Sequence, residues 1–336
     1  MITGRLVSLL AGGLLGAGMG LTCLLAEEPY KPVIPLGLDQ SLPVADSNAL
    51  TLPKVELGRK LFFDKRLSRD GTVACASCHM PERGFTNGKK VATGTRNRRG
   101  SRNVPTLFNR VYGLSQFWDG RVASLEDQSL EPIQNPQEMD MTLSALQERL
   151  EGIREYRREF QRVFGEEPVP ANAAKAIASF VRTLWSANSP FDRFDHGEPD
   201  AFSEQARHGL ALFRGKGNCI ACHHGPNVTD ERFHNTGVAW RDGRFADDGR
   251  VIVSRNERDR GAFKTPTLRE IARTAPYMHD GGFQTLEEVV DFYDAGGRPN
   301  SHIDPEIHPL HLSVEEKQAV VAFLKSVSGS IREGRP

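Results

Sequence analysis

Cys75-Ala76-Ser77-Cys78-His79 is the stretch on which the reading of this chain turns. Two thiols three positions apart, followed at once by a histidine, are what covalent attachment of a c-type haem requires. Each sulfur adds to one vinyl group of the porphyrin, and the adjoining imidazole ligates the iron. The pattern recurs at Cys219-Ile220-Ala221-Cys222-His223. A CxxC pair alone also serves zinc sites and redox disulfides. Here both pairs are closed by a histidine, and together they use four of the five cysteines; the fifth, Cys23, lies in an apolar N-terminal run. That arrangement favours two covalently bound haem c groups, with Cys75, Cys78, Cys219 and Cys222 as attachment points and His79 and His223 as iron ligands.

Working outward, the two motifs belong to a longer internal repeat. Asn103-Val104-Pro105-Thr106-Leu107 is echoed by Lys264-Thr265-Pro266-Thr267-Leu268, and Trp118-Asp119-Gly120 by His279-Asp280-Gly281. Ser124-Leu125-Glu126-Asp127 is echoed by Thr285-Leu286-Glu287-Glu288. All three pairs are shifted by 161 positions (266 less 105, 279 less 118, 285 less 124), whereas the haem motifs are shifted by 144 (219 less 75). The second half therefore carries about 17 extra residues after its haem motif, within the Asp230–Phe263 segment. Each half reads as one haem unit of the cytochrome c type.

The chain has 336 residues, 38% hydrophobic and 26% charged, which suits a globular protein of about two domains. Its formal net charge is zero, so nothing global points to nucleic acid. Arg5, the apolar run Leu6–Leu25 and Ala26 before Glu27-Glu28 read as an export signal over residues 1–26. The run is marginal for a membrane anchor and no later stretch approaches spanning length, so no membrane-spanning segment is expected after its removal. Lipidation at Cys23 is disfavoured by the bulky Leu21-Thr22 before it. Export agrees with the haems, since cytochrome c maturation takes place outside the bacterial cytoplasm, and the expected compartment is the periplasm.

Residues 27–53 are Pro-rich and aperiodic, a surface-wrapping segment. Helical periodicity marks Lys54–Phe63, Ala171–Trp185, Ser203–Phe213 and a helix beginning at Ser313, where Glu316 completes a capping box. Pro190, Gly197 and Pro199 punctuate the best domain boundary, giving an N-terminal unit 27–195 and a C-terminal unit 196–336. No alternating pattern lasts more than a few residues. The fold class expected is mostly α: two cytochrome-c-like haem domains related by an internal repeat, with long loops.

With these motifs in view, the chain resembles the bacterial dihaem cytochrome c peroxidases, the family that includes MauG. The resemblance covers nearly the whole mature chain. It is carried by Phe117-Trp118-Asp119-Gly120-Arg121, Leu125-Glu126-Asp127-Gln128, Pro132, Asn135-Pro136 and Glu138-Met139, and by Ala275-Pro276-Tyr277-Met278-His279-Asp280-Gly281. It implies that hydrogen peroxide reacts at the first haem, that the second relays electrons, and that Trp118 lies between them. It implies that Gln128 and Glu138 stand over the peroxide-binding face as catalytic residues. It also implies that Asn103, Thr274 and Pro276 hold a calcium ion between the domains.

What lies opposite each proximal histidine decides the chemistry, since a haem with two strong axial ligands only moves electrons. Many relatives block the first haem with a histidine from the loop after the motif. Here that loop, Met80–Arg102, has none, and the corresponding position falls near Thr95; no histidine occurs from Met80 through Asp195. Met139 and Met141 remain as alternative ligands, but the expectation is an open face. For the second haem the candidates are Tyr293 and Met278. Tyr293 occupies the position where the resemblance implies a ligand, methionine in most relatives and tyrosine in MauG, and its repeat counterpart is Pro132, which cannot ligate. Met278 matches the packing residue Phe117. Methionine raises a haem's reduction potential, whereas an anionic oxygen donor favours oxidised iron.

Weaker features carry two readings each. From Arg83 to Trp118 there is no acidic residue, while Lys89, Lys90, Arg96, Arg98, Arg99 and Arg102 are basic. This is either a solvated loop with arginines on haem propionates or a docking patch for an acidic protein. His302, His308 and His311 lie in a Pro-interrupted loop, where a metal site is disfavoured. The expected activity is a hydrogen-peroxide-dependent oxidoreductase. It either oxidises a partner protein in the MauG manner or removes peroxide with electrons from a small cytochrome c or copper protein. A pure two-haem electron carrier is the non-enzymatic alternative. The sequence identifies neither the electron donor nor the protein substrate.

Overall fold

The structure, a computed structural model, describes residues 29–333; the export-signal and Cys23 readings lie outside the described residues. Six helices form the first half. α1 (Leu52–Phe63) has Pro53 in its first turn and buries Val55, Leu57, Leu61 and Phe62. α2 (Cys75–Cys78) is the single turn of the first haem motif. α3 (Leu125–Gln134) is capped by Ser124, whose hydroxyl accepts from the Asp127 N–H. α4 (Leu143–Gly152) and α5 (Arg154–Phe164) lead into α6 (Pro170–Val181), nearly all of which is buried. Gly58 lets α1 and α6 touch backbone to backbone, since a β-carbon there would stand 1.8 Å from the Ala176 carbonyl oxygen.

After β1 (Leu184–Ala187) and α7 (Pro190–Asp195), the second half begins with α8 (Glu204–Arg214). The extra segment of the repeat folds as β2 (Phe233–His234), the hairpin of β3 (Trp240–Arg241) and β4 (Arg244–Phe245), α9 (Val251–Ser254) and β5 (Phe263–Lys264). β5 pairs antiparallel with β2. α10 (Leu286–Asp294), α11 (Val314–Ser326) and β6 (Ser330–Glu333) complete the chain. Glu316 and Ser313 form the expected capping box on α11. α8 crosses α11 as α1 crosses α6: a β-carbon at Gly209 would stand 1.9 Å from the Ala319 carbonyl oxygen.

The repeat is visible in the backbone as well as in the letters. Asn109 and Glu270 are both left-handed (φ 57° and 60°), as are Phe117 and Met278 (φ 67° and 70°). Gln116 bridges Val122 in one half, and Tyr277 bridges Phe283 in the other. Such backbone costs a non-glycine residue about 1–2 kcal/mol. Both halves spend it on the same tight turn, which lifts Trp118 and His279 into the space between them.

One expectation is corrected. The helix read as Ala171–Trp185 stops at Val181, and Trp185 lies in β1, paired antiparallel with β6 in the register Trp185 to Arg332. Asn109 enforces the change: its N–H donates to the Leu184 carbonyl, and its side chain accepts from the Ser186 N–H at 3.0 Å and donates to the Ser186 carbonyl at 2.8 Å. The apolar residues of 50–184 and of 202–327 gather into two separate cores, with a third small cluster of Leu38, Val111, Trp185 and Ala187 under the N-terminal segment.

Arg269 ties these parts together. Its guanidinium is 1% exposed and pairs with Asp192 of α7 at 2.6 Å, while also donating to the carbonyls of Gly37 and Pro226. Removing one partner of a buried pair strands the other charge, at a cost of about 3–5 kcal/mol. Arg269→Met is therefore expected to lower the unfolding free energy of the haem-loaded protein by about that amount in denaturant titration.

Candidate active site

A cavity of about 890 Å³ runs through both halves, lined by Cys78 and His79 at one end and by Cys219, Cys222 and His223 at the other. The four motif cysteines are free, with no disulfide. α2 is one helical turn, so Cys75 and Cys78 project from adjacent positions, and the His79 N–H closes the turn on the Cys75 carbonyl at 2.9 Å. The second motif is a 3₁₀ turn, Cys219–Ala221, closed likewise by the His223 N–H on the Cys219 carbonyl at 2.9 Å.

Both histidines are set for iron. His79 Nδ1 lies 2.9 Å from the Phe85 carbonyl, and His223 Nδ1 lies 3.2 Å from the Val228 carbonyl. A carbonyl only accepts, so each Nδ1 carries the proton and each Nε2 keeps its lone pair for a metal. Burial pushes both imidazoles down to about 4, which keeps them neutral. A polar lone pair buried in each of two pockets, beside two free thiols, is the donor set of covalent haem c.

The helices α3 and α10 are repeat counterparts, and each turns one face to the cavity. From α3 come Gln128 and Pro132; from α10 come Val289 and Tyr293. Each pair is four residues apart, hence on one helical face. At the same two places the first pocket thus receives an amide and a ring that cannot ligate, and the second an isopropyl group and a phenol. Burial, then the thiols of Cys222 and Cys219, push the Tyr293 hydroxyl up, which places it against the second motif. Met278 also lines the cavity. Met139 and Met141 are each 2% exposed and packed in the first core, not in the cavity wall. Thr95 is 1% exposed and its N–H donates to the Glu138 carbonyl.

Glu138 faces the first pocket beside Asn135, whose Nδ2 donates to Oε1 at 2.7 Å. Burial raises its carboxyl above the ordinary value of 4.5, against the Asn135 hydrogen bond and the Arg121 charge. The segment is pinned through its backbone: the Glu138 N–H donates to the Asn135 carbonyl. Gly94 permits the close approach of the preceding loop, since a β-carbon there would stand 2.2 Å from the Gln137 carbonyl oxygen.

Trp118 lines the cavity where the halves meet. Its indole Nε1 donates to the Asn103 carbonyl at 2.8 Å, and the Asn103 N–H donates to the His279 carbonyl at 2.7 Å. Asn103, Thr274 and Pro276 all face the cavity, from opposite halves.

The family described as di-haem cytochrome c peroxidase matches residues 53–200. The methylamine utilization protein MauG of Methylorubrum extorquens is 41% identical over 294 residues, covering 86% of this chain and 82% of that one. The cytochrome-c peroxidase IdrP1 of a Pseudomonas species (strain SCT) is 36% identical over 336 residues, covering 91% and 87%. Among solved structures, a MauG-like protein associated with microbial copper homeostasis superposes with a TM-score of 0.81 at 32% identity, covering 88% of this chain and 95% of that one. This chain belongs to the dihaem cytochrome c peroxidase family. It is a hydrogen-peroxide-dependent oxidoreductase of a family that carries two haem c groups, and the two CxxCH motifs offer the donors that such groups need.

Other readings resolve differently. Among the described residues the one cluster with metal-ligand geometry is Cys222, Asp230 and His234, so His302, His308 and His311 do not converge. Both ring nitrogens of His234 are already engaged, by Asp304 at 2.6 Å and Asp230 at 2.9 Å, and Cys222 is part of the second CxxCH motif. In the basic loop, Arg98 is bound to Asp140 and Arg102 to Asp119 and Asp247, while Lys89, Lys90, Arg96 and Arg99 are exposed. Sequence reasoning missed the buried charges Arg110, Glu231 and Lys264. The repeat held a signal, since Lys264 stands where the first half has Asn103.

No histidine or methionine side chain among the described residues of the first half reaches the cavity opposite His79. The protein as purified is expected to show a high-spin ferric signal by electron paramagnetic resonance and to react with peroxide in stopped flow without prior reduction. A purely low-spin spectrum, with reactivity only after reduction, would contradict the open face.

Proposed function

We propose that this enzyme is a MauG-like oxidase of the periplasm, which takes oxidising equivalents from hydrogen peroxide at the first haem and passes them by way of the second to a partner protein. The observation that carries this reading is Tyr293 on the cavity face of α10, where α3 has Pro132. Bound haem c supplies an iron that exchanges single electrons and, where a face is open, takes up peroxide. Everything else falls to side chains of this chain.

Glu138 is the acid–base group. As carboxylate it accepts the proton from the inner peroxide oxygen, and as acid it returns that proton to the outer one, which leaves as water. Its burial suits both halves of the task, because a carboxyl raised above its ordinary value takes up and releases its proton closer to neutrality. Gln128, on the same wall, donates its amide to orient peroxide. Two electrons and two protons convert one peroxide to two waters, and the partner protein supplies the electrons. Trp118, in the seam, is the relay between the two haem sites. Tyr293 would hold the second iron through its oxygen, giving up on binding the proton that burial otherwise keeps on it, and the anionic oxygen would favour oxidised iron. That lets oxidising capacity wait for a partner too large to enter the cavity.

Asn103, Thr274 and Pro276 offer hard oxygen donors from both halves, the class of ligand that calcium prefers, and we assign a calcium ion to them. Because Asn103 also accepts from the Trp118 indole, the ion and the relay share one residue. The periplasmic assignment rests on the two haem motifs and the N-terminal apolar run.

Two variants test the roles. Glu138→Gln is expected to keep both haems and to slow O–O cleavage by about 10²–10⁴-fold. In the wild type the rate should rise with pH through a value above 4.5, as the raised carboxyl ionises, and this limb should vanish in the variant. Tyr293→Phe should leave haem attachment intact and abolish oxidation of the protein substrate, while peroxide still reacts at the first site. Rapid turnover with reduced cytochrome c, together with methionine ligation of the second haem in the wild type, would decide instead for simple peroxide removal.

A further inference from the structure

The seam between the halves contains a buried charge cluster that the reading above does not use. Arg110 is 7% exposed, and its guanidinium is fully engaged. Nη1 donates to Glu231 Oε1 at 2.7 Å, Nη2 to the Ser115 carbonyl at 2.7 Å, and Nε to Gln116 Oε1 at 3.2 Å. Glu231 is 7% exposed and also accepts from the Leu114 N–H at 3.2 Å. The third member is Lys264, 8% exposed, whose Nζ comes no closer to Glu231 than 3.4 Å. Two cations thus share one carboxylate, and Arg110 takes the short contacts.

Lys264 is left with three donors and only two long contacts, to the two oxygens of Glu231 at 3.4 and 3.5 Å, in a wall that faces the cavity. A buried ammonium that only shares its counter-ion is costly, and burial together with the Arg110 charge pulls it down to about 7, against the pull of Glu231. Arg110, Gln116 and Lys264 line the cavity and Glu231 does not, so the surplus positive charge lies on the cavity side of the cluster. What belongs in this cavity brings anions of its own, because each of two haem c groups carries two propionate carboxylates.

We propose that Lys264 Nζ, backed by Arg110, receives a haem propionate at the seam and is the positioning residue that ties a porphyrin edge to Trp118. The tie is direct, because the Lys264 N–H donates to the Trp118 carbonyl at 2.8 Å. One residue therefore holds the backbone of the relay and the carboxylate of its redox neighbour. The internal repeat sharpens the assignment. Lys264 is the counterpart of Asn103, whose N–H holds the His279 carbonyl in the mirror-image contact. At that shared position one half carries a neutral amide and the other its own cation. This inference rests on the two haem groups and not on which partner the enzyme oxidises.

The test is a spectroelectrochemical titration of haem-loaded Lys264→Gln and Lys264→Arg, with resonance Raman spectra of the propionate bending modes. Lys264→Gln should retain both covalent haems, shift one midpoint potential downward as a positive charge is removed, and alter one propionate mode. Lys264→Arg should restore both signals. Potentials and modes unchanged in Lys264→Gln, or changes that Lys264→Arg does not reverse, would overturn the assignment. A crystal structure of the wild-type haem-loaded protein decides the matter even if Lys264→Gln fails to fold. Nζ within about 4 Å of a propionate oxygen supports the proposal, and a longer separation refutes it.

Discussion

Two hydrogen bonds exchanged across the seam hold the two halves in the relation on which everything else depends. The Asn103 N–H donates to the His279 carbonyl, and the Lys264 N–H donates to the Trp118 carbonyl, at 2.7 and 2.8 Å. Asn103 and Lys264 are repeat counterparts, and so are His279 and Trp118. The clasp is therefore reciprocal, as in a two-fold dimer, although one chain makes both sides. Each bond contributes only about 1 kcal/mol net. Their importance is geometric, because they bring the left-handed turns at Phe117 and Met278 face to face and leave one cavity running through both halves. Arg269 and Asp192 add a fully buried ion pair that ties the second half to α7.

A duplicated scaffold makes the differences between its halves easy to interpret. The paired helices α3 and α10 present the same face to the same kind of pocket, so backbone placement is not what distinguishes the two sites. The side chains are. Gln128 and Pro132 leave room and a hydrogen-bond donor; Val289 and Tyr293 leave an apolar wall and an oxygen. The division of labour proposed for the two haems follows from that exchange of two residues per helix. Glu138 has no carboxyl counterpart in the repeat, since the matching position of the second half is Pro299.

Much of this was legible from the letters. Helix positions followed from apolar spacing, caps from Ser313 and Glu316, and the repeat from three matched segments. The reading failed at Trp185, where a helical pattern continues into residues that the structure makes a strand. Local propensity cannot see β6, which lies more than a hundred residues away, nor Asn109, whose side chain completes the pairing. The His302, His308 and His311 loop shows the converse: histidines close in sequence whose ring nitrogens do not converge in space.

The sequence by itself determined the chemistry that covalent bonding dictates: two CxxCH motifs admit few groups besides haem c, and their spacing, with the repeat, implied two units. It also determined that Met80–Arg102 could supply no histidine, since absence from a sequence is final. Only the tertiary structure decided which nitrogen of His79 and His223 is free, because that depends on the carbonyls of Phe85 and Val228. It likewise decided that Met139 and Met141 are core residues rather than ligands, and that Glu138 is raised by burial. The charge cluster of Arg110, Glu231 and Lys264 was invisible beforehand for the same reason. Arg110 lies 121 positions from Glu231 along the chain, and only closure of the two halves brings the cluster out of water together.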